Sequence, residues 1–178
     1  MKKILLTSTG FDNLNIKNKF LNMLDKDIND VKILFIITAA NDPDSVRILS
    51  GCLDDLTKCN IKDSNITVYD MHKYLSKEEI INYDAIYVCG GSTKKLRDRI
   101  IELNMEDIFN YYVNNGGIYI GVSAGTKVAN NPLNFISNNL DVHCEKGSNN
   151  GLITNNEDIN LTDNQAIIIT DSEQIIFE

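Results

Sequence analysis

The sequence lacks an excess of positive charge and any long apolar run. Of its 178 residues, 17 are Lys or Arg and 25 are Asp or Glu, which gives a net charge of −8. Binding to nucleic acid or to an anionic membrane surface requires clustered basic side chains, so neither partner is expected. Near the N-terminus the apolar run Ile4–Leu6 is too short for a signal peptide or a membrane span. We therefore expect a cytoplasmic protein.

Residues that bind metals or form redox motifs are also scarce. The chain has only two histidines, His72 and His143, and no pair of cysteines with C-x-x-C spacing. Zinc sites usually need several such ligands at characteristic spacings, so we predict no metal and no other cofactor. Disulfides are not expected in a reducing compartment. Cys52 and Cys59 lie seven residues apart, on one face of a predicted helix, and should pack in the core.

The chain does contain short β-branched runs that alternate with longer amphipathic segments. The predicted strands are residues 3–7, 31–38, 65–69, 85–89 and 118–122, followed by a hairpin of residues 166–170 and 174–177. Alternation of strands and helices implies a mostly parallel sheet with helices on both faces, a three-layer α/β/α sandwich. The length suits one domain, which we assign to residues 1–178.

Local signals predict where several helices begin or end. Asp42 and Pro43 are typical of a helix start, with Asp as the N-cap and Pro in the first turn. Ser76 and Glu79 have the spacing of a capping box. The long helical region that ends near Asn114 is predicted to break near Asn104.

Two glycine-rich turns follow predicted strands, where sites form in parallel sheets. They are Cys89–Thr93 (CGGST) and Gly121–Gly125 (GVSAG). The second has the G-x-S-x-G pattern of a nucleophile elbow, in which a strained turn projects the serine above the sheet. The N–H of the next residue, Ala124, would face the developing oxyanion. The alternative is a turn serine without chemistry.

A serine nucleophile needs a base, and the base needs an acid that orients it. His72 and His143 are the only histidines in the sequence. Of the two, His143 is favoured as the base because it lies downstream of the serine. The residues alone leave the acid open among five candidates, namely Asp141, Glu145, Glu157, Asp163 and Asp171.

Three stretches together resemble a known family. Gly121–Gly125, Cys89–Thr93 and Leu161–Ile167 are similar to motifs of the dipeptidase E (aspartyl dipeptidase) and cyanophycinase family of serine peptidases. That family has a three-layer α/β/α fold related to class I glutamine amidotransferases, which is flavodoxin-like. The resemblance implies that Ser123 is the nucleophile, His143 the base and Asp163 the third member of a triad.

The resemblance also implies roles for further residues, and the chain differs from the family pattern at some of its positions. Gly91 would supply a second oxyanion N–H beside Ala124, and Ser92 and Thr93 would contact substrate, although the family usually has Asn at the position of Ser92. The segment from His143 to Asp163, polar and Gly-rich over residues 147–156, is shorter than in the family. A shortened wall would give a more open pocket, altered specificity or loss of activity.

The leading hypothesis is a serine hydrolase that cleaves small peptides through an acyl-enzyme, as a monomer or homodimer. One alternative is a catalytically weak or inactive domain whose glycine turns bind a small anion or metabolite. Another is an esterase or amidase that uses the same triad.

Overall fold

The central element of the fold is an eight-stranded sheet. The structure is a computed structural model, and it describes residues 1–154 and 157–178. The strands of this sheet and those of a small second sheet are β1 (Lys3–Thr7), β2 (Ile33–Ile36), β3 (Ile66–Tyr69), β4 (Ala85–Val88), β5 (Ile118–Val122), β6 (Leu140–Asp141), β7 (Gly151–Leu152), β8 (Ile159–Asn160), β9 (Ala166–Ile169) and β10 (Gln174–Phe177). The order in the large sheet is β3-β2-β4-β5-β1-β9-β10-β7. The first five of these are parallel, and the last three add antiparallel pairs.

Helices cover both faces of this sheet. They are α1 (Leu14–Met23), α2 (Val46–Lys58), α3 (Lys77–Ile80), α4 (Thr93–Glu102), α5 (Met105–Asn114) and α6 (Ala124–Lys127). Side chains of β4 alternate between the faces, as a pleated strand requires. Tyr87 packs in the core under α1 and α2, whereas Ile86 and Val88 pack in the core under α4 and α5. The three-layer α/β/α prediction is therefore confirmed.

Most predicted boundaries agree with the structure to within two residues. Asn104, with a φ of 52°, separates α4 from α5 at the predicted break. At the start of α3, Glu79 N–H donates to Ser76 Oγ (3.2 Å) and Ser76 N–H donates to the Glu79 carboxylate (2.8 Å), so the capping box is confirmed. Cys52 and Cys59 are both buried, as expected.

The region after β2 differs from the prediction in two details. The strand stops at Ile36, and Thr38–Ala40 forms a 3₁₀ turn. Here the Ala39 carbonyl accepts from Ser92 N–H (2.8 Å), so a tertiary contact replaces strand pairing. Asp42 is the N-cap and Pro43 the first residue of another 3₁₀ turn, Pro43–Ser45, which leads directly into α2, so the predicted helix start is confirmed. The Asp42 carboxylate makes no capping bond to a backbone N–H and instead accepts from Ser45 Oγ (3.0 Å).

The C-terminal hairpin completes the sheet. β9 and β10 pair antiparallel, and β9 also pairs antiparallel with β1, in the register Leu5↔Ile168. The β6–β8 ladder, which the sequence did not predict, forms a separate two-stranded parallel sheet. Of the polar segment at residues 147–156, Asn155 and Asn156 lie outside the described residues. Within the part of the chain that the structure describes, no helix is long and apolar enough to cross a membrane.

Candidate active site

Ser123 lies in the turn between β5 and α6, at the carboxyl end of the sheet. Its φ of 50° and ψ of −101° are strained for a residue with a side chain. The flanking glycines permit this turn. A Cβ at Gly121 would lie 2.5 Å from the Gly125 carbonyl oxygen, and a Cβ at Gly125 would lie 2.5 Å from the Val88 carbonyl oxygen. The close approach of these backbones thus requires glycine on both sides of Ser123.

His143 and Asp163 come together through the small β6–β8 sheet. Pairing of Asp141 with Asn160 places the residues that follow both strands side by side, and Leu161 N–H extends the ladder by donating to the Asp141 carbonyl (2.9 Å). His143 follows β6 by two residues and Asp163 follows β8 by three. Residues twenty positions apart are therefore neighbours.

The imidazole of His143 bridges the serine and the acid. Its Nδ1 lies 2.7 Å from Asp163 Oδ1, and its Nε2 lies 3.1 Å from Ser123 Oγ. A carboxylate only accepts hydrogen bonds, so Nδ1 carries the proton and Nε2 is free to accept from the serine hydroxyl. These distances are those of a nucleophile, a base and an orienting acid.

The three residues are accessible to solvent. Ser123 is half-buried, whereas the His143 and Asp163 side chains are 49% and 61% exposed. The imidazole and the carboxylate are therefore open to solvent on one side.

The other glycine-rich turn lies directly beside Ser123. Strands β4 and β5 are neighbours, with Val88 opposite Gly121, so the turns that follow them share one edge of the sheet. A Cβ at Gly90 would lie 3.7 Å from Ser123 Oγ. Gly91, with a φ of 126°, continues this turn, and Ala124 begins α6, where the first N–H groups have no acceptor within the helix. Backbone N–H groups from both turns thus lie near the serine.

Ser92 and Thr93 open α4 next to this turn. Ser92 is the N-cap, and its Oγ accepts from Lys95 N–H (3.3 Å). Thr93 is the first residue of the helix and is half-buried. A capping role therefore accounts for the Ser92 hydroxyl, and substrate contact at both residues stays a prediction.

Three of the other candidate side chains, those of His72, Asp141 and Asp171, have different partners. His72 Nδ1 lies 2.6 Å from Asp70 on the exposed loop after β3. Asp141 forms an ion pair with Lys127 (2.8 Å), and the hydrogen bond from that ammonium lowers the pKa of Asp141. Asp171 accepts from the backbone N–H of Lys2 (3.1 Å). Across residues 1–154 and 157–178, no three His, Cys, Asp or Glu side chains cluster as metal ligands would.

Sequence reasoning missed two residues that contact this arrangement. Ser8 and Thr9 follow β1, and their hydroxyls bond to the segments that carry His143 and Asp163. The available signal was their position, because polar residues directly after a parallel strand lie at the edge where sites form.

Comparisons with known proteins place this chain in a family. The profile of peptidase family S51 matches residues 4–152, which include Ser123 and His143. The chain belongs to peptidase family S51. The match ends before Asp163, so the family profile itself does not reach the acid of the arrangement.

Individual relatives agree with this family. Peptidase E from Haemophilus influenzae is 34% identical over 74 residues, which cover 41% of this chain and 34% of that protein. The chain thus matches about a third of the length of this curated relative. The crystal structure of a peptidase E candidate from Listeria monocytogenes EGD-e has a TM-score of 0.74 at 18% identity, and the match covers 100% of this chain and 98% of that one. A peptidase from an acI-B1 actinobacterium has a TM-score of 0.52 at 19% identity, over 72% of this chain and 57% of its own. At these identities, the two structures support the fold alone.

Proposed function

We propose that this protein is a serine-type peptidase of the peptidase E kind that hydrolyses small peptides. The observation that carries the proposal is the His143 bridge, 3.1 Å to Ser123 Oγ and 2.7 Å to Asp163 Oδ1. Family membership supports peptide hydrolysis as the reaction class. The net charge of −8 argues against nucleic acid as a partner.

Acylation begins with proton transfer to His143. As Ser123 Oγ attacks the carbonyl carbon of the scissile bond, its proton moves to Nε2. Asp163 accepts from Nδ1–H throughout, which keeps the ring in the required tautomer and stabilises the imidazolium. The N–H groups of Gly91 and Ala124 donate to the oxyanion, a contribution of about 10²- to 10³-fold in rate for one donor.

Collapse of the tetrahedral intermediate breaks the C–N bond. His143 Nε2 returns its proton to the leaving amine, and Ser123 is left as an ester of the acyl fragment. Water then attacks this ester and gives its proton to Nε2, and the carboxylic acid product leaves as the serine regains its hydrogen. The same residues therefore serve both half-reactions, and no cofactor takes part in either.

A fluorophosphonate probe tests whether Ser123 is an activated nucleophile. We expect stoichiometric labelling of the wild type and none of Ser123→Ala. Ser64→Ala is the matched control. Ser64 lies in the exposed turn before β3, at the amino end of the parallel strands, whereas Ser123 lies at their carboxyl end. Absence of labelling in the wild type would favour a binding domain without catalysis.

A substrate panel tests the reaction class. Dipeptides and tripeptides compared with p-nitrophenyl esters and simple amides should give the highest kcat/KM with peptides. A preference for the esters or simple amides over every peptide would instead assign an esterase or amidase. Each assay includes Ser123→Ala, so that background hydrolysis is subtracted.

A further inference from the structure

One three-residue segment contacts all three members of the proposed triad. The segment consists of Thr7, the last residue of β1, and the next two residues, Ser8 and Thr9. Ser123 N–H donates to the Thr7 carbonyl (3.0 Å), and His143 N–H donates to Ser8 Oγ (3.3 Å). Thr9 Oγ1 donates to the Asp163 carbonyl (2.9 Å). Consecutive residues thus hold the nucleophile, the base and the acid.

Ser8 is almost completely enclosed. It is 1% exposed, and its hydroxyl donates to the Leu161 carbonyl (3.3 Å) while it accepts from His143 N–H. One side chain therefore links the strand-end segments of β6 and β8 to each other and to β1. A buried polar group left without its partner costs about 1–3 kcal/mol, so these bonds stabilise the contact between the three segments.

The backbone of His143 needs such support. Its φ of 59° lies in the left-handed region, which residues with side chains rarely adopt. Such a conformation persists only where the surrounding structure over-determines it. Because the imidazole is 49% exposed, packing around the ring itself supplies little of that constraint.

The anchor of the segment is rigid. Thr7 pairs with Val122 in the β1–β5 ladder and is fully buried. Its N–H donates to Thr126 Oγ1 (3.0 Å), and its Oγ1 accepts from Gly10 N–H (2.9 Å). Both ends of the Ser8–Thr9 loop are therefore fixed to Thr7, at the end of β1. The same residue accepts the hydrogen bond from Ser123 N–H.

We propose that Ser8 and Thr9 are positioning residues, whose hydroxyls fix His143 and Asp163 at the distances that Ser123 requires. The inference rests on the proposed function, because it assigns these contacts to the same reaction. A displacement of about 1 Å in a catalytic group costs up to roughly 10²-fold in rate. Loss of either hydroxyl therefore lowers kcat and leaves KM nearly unchanged, since both hydroxyls bond to backbone groups of the protein that carry the triad.

Kinetics of matched variants test the proposal. Thr9→Val removes the donor at constant shape, and Thr9→Ser restores it. We expect kcat to fall about 10- to 100-fold in Thr9→Val and in Ser8→Ala, with rescue in Thr9→Ser. Thr57→Val is the control, because it removes an equivalent hydroxyl-to-carbonyl bond, from Thr57 to Leu53 (3.1 Å), inside α2. Wild-type kcat in both Ser8→Ala and Thr9→Val would overturn the proposal.

Nitrogen NMR of the histidine ring separates this proposal from the proposed function. With only two histidines in the chain, His72→Gln assigns the signals of His143. The wild type should show the Nδ1–H tautomer with a protected, downfield proton, and Thr9→Val should lose it while Thr9→Ser keeps it. If the wild type neither labels nor hydrolyses peptides, the function fails, and the NMR comparison still decides positioning. An unchanged His143 spectrum in Thr9→Val overturns positioning whatever the activity.

Discussion

Replacement of Gly91 by alanine gives the sharpest test of the proposed oxyanion hole. A Cβ at this position would lie 2.3 Å from the Ala39 carbonyl oxygen and 2.7 Å from its carbonyl carbon. Favourable contacts lie at about 3.5–4.0 Å, so the turn must move by about 1 Å. That movement carries the Gly91 N–H away from the point beside Ser123 where the oxyanion forms. We expect kcat to fall by about 10²- to 10³-fold, the loss measured for one oxyanion donor.

The positive φ of Gly91, 126°, adds a cost in stability of about 1–3 kcal/mol. Gly116→Ala controls for this cost, because Gly116 also has a positive φ (89°) but a Cβ there would have no atom within 4 Å. Both variants are assayed by peptide hydrolysis below the unfolding temperature that circular dichroism measures for each. Gly116→Ala should lose stability and keep its kcat. A folded Gly91→Ala with wild-type kcat would refute the oxyanion role.

Further expected outcomes concern the triad and a buried carboxyl. Ser123→Ala and His143→Ala should each remove nearly all peptide hydrolysis, and the double variant should be scarcely worse, because residues that act as a unit are non-additive. Asp163→Asn should reduce kcat severely but less than either, since it disturbs the imidazole tautomer. Burial raises the pKa of Asp55, which accepts from the Tyr87 hydroxyl, from 3.8 to about 6. The folded state therefore binds more protons than the unfolded state between these values, and this carboxyl costs stability as pH rises through them, by about 3 kcal/mol at neutral pH. Asp55→Asn should remove that pH dependence in urea unfolding; an unchanged dependence would contradict the assignment.

The fold was predictable because its main signals are local. Continuous apolar runs such as Ala85–Val88, buried at every residue, indicate a strand covered on both faces. The break at Asn104 and the capping box at Ser76 likewise depend on neighbouring residues. The sequence did not reveal that Thr38–Ala40 leaves the strand direction, because the contact responsible, Ser92 N–H to the Ala39 carbonyl, comes from a distant turn.

The candidate site also has a part that is encoded locally and a part that depends on distant contacts. The turn at Ser123 is encoded in five consecutive residues, because the steric requirement at Gly121 and Gly125 is met within the turn and by the adjacent strand. Selection of Asp163 over its competitors could not come from spacing. It depends on the two-residue ladder between β6 and β8, whose short strands carry almost no pattern in the sequence.

The segment from His143 to Asp163, called the arm below, has a weak local pattern. This is the physical reason for the positioning role that we propose for Ser8 and Thr9. Two ladder pairs and exposed side chains give this arm little burial of its own, in contrast to Ser123, whose turn is held by two buried strands. Regions with few buried contacts open at a small fraction of the global unfolding free energy. A segment with little burial keeps His143 and Asp163 in place only if the rigid part of the fold holds them directly. The hydroxyls that follow β1 make that connection.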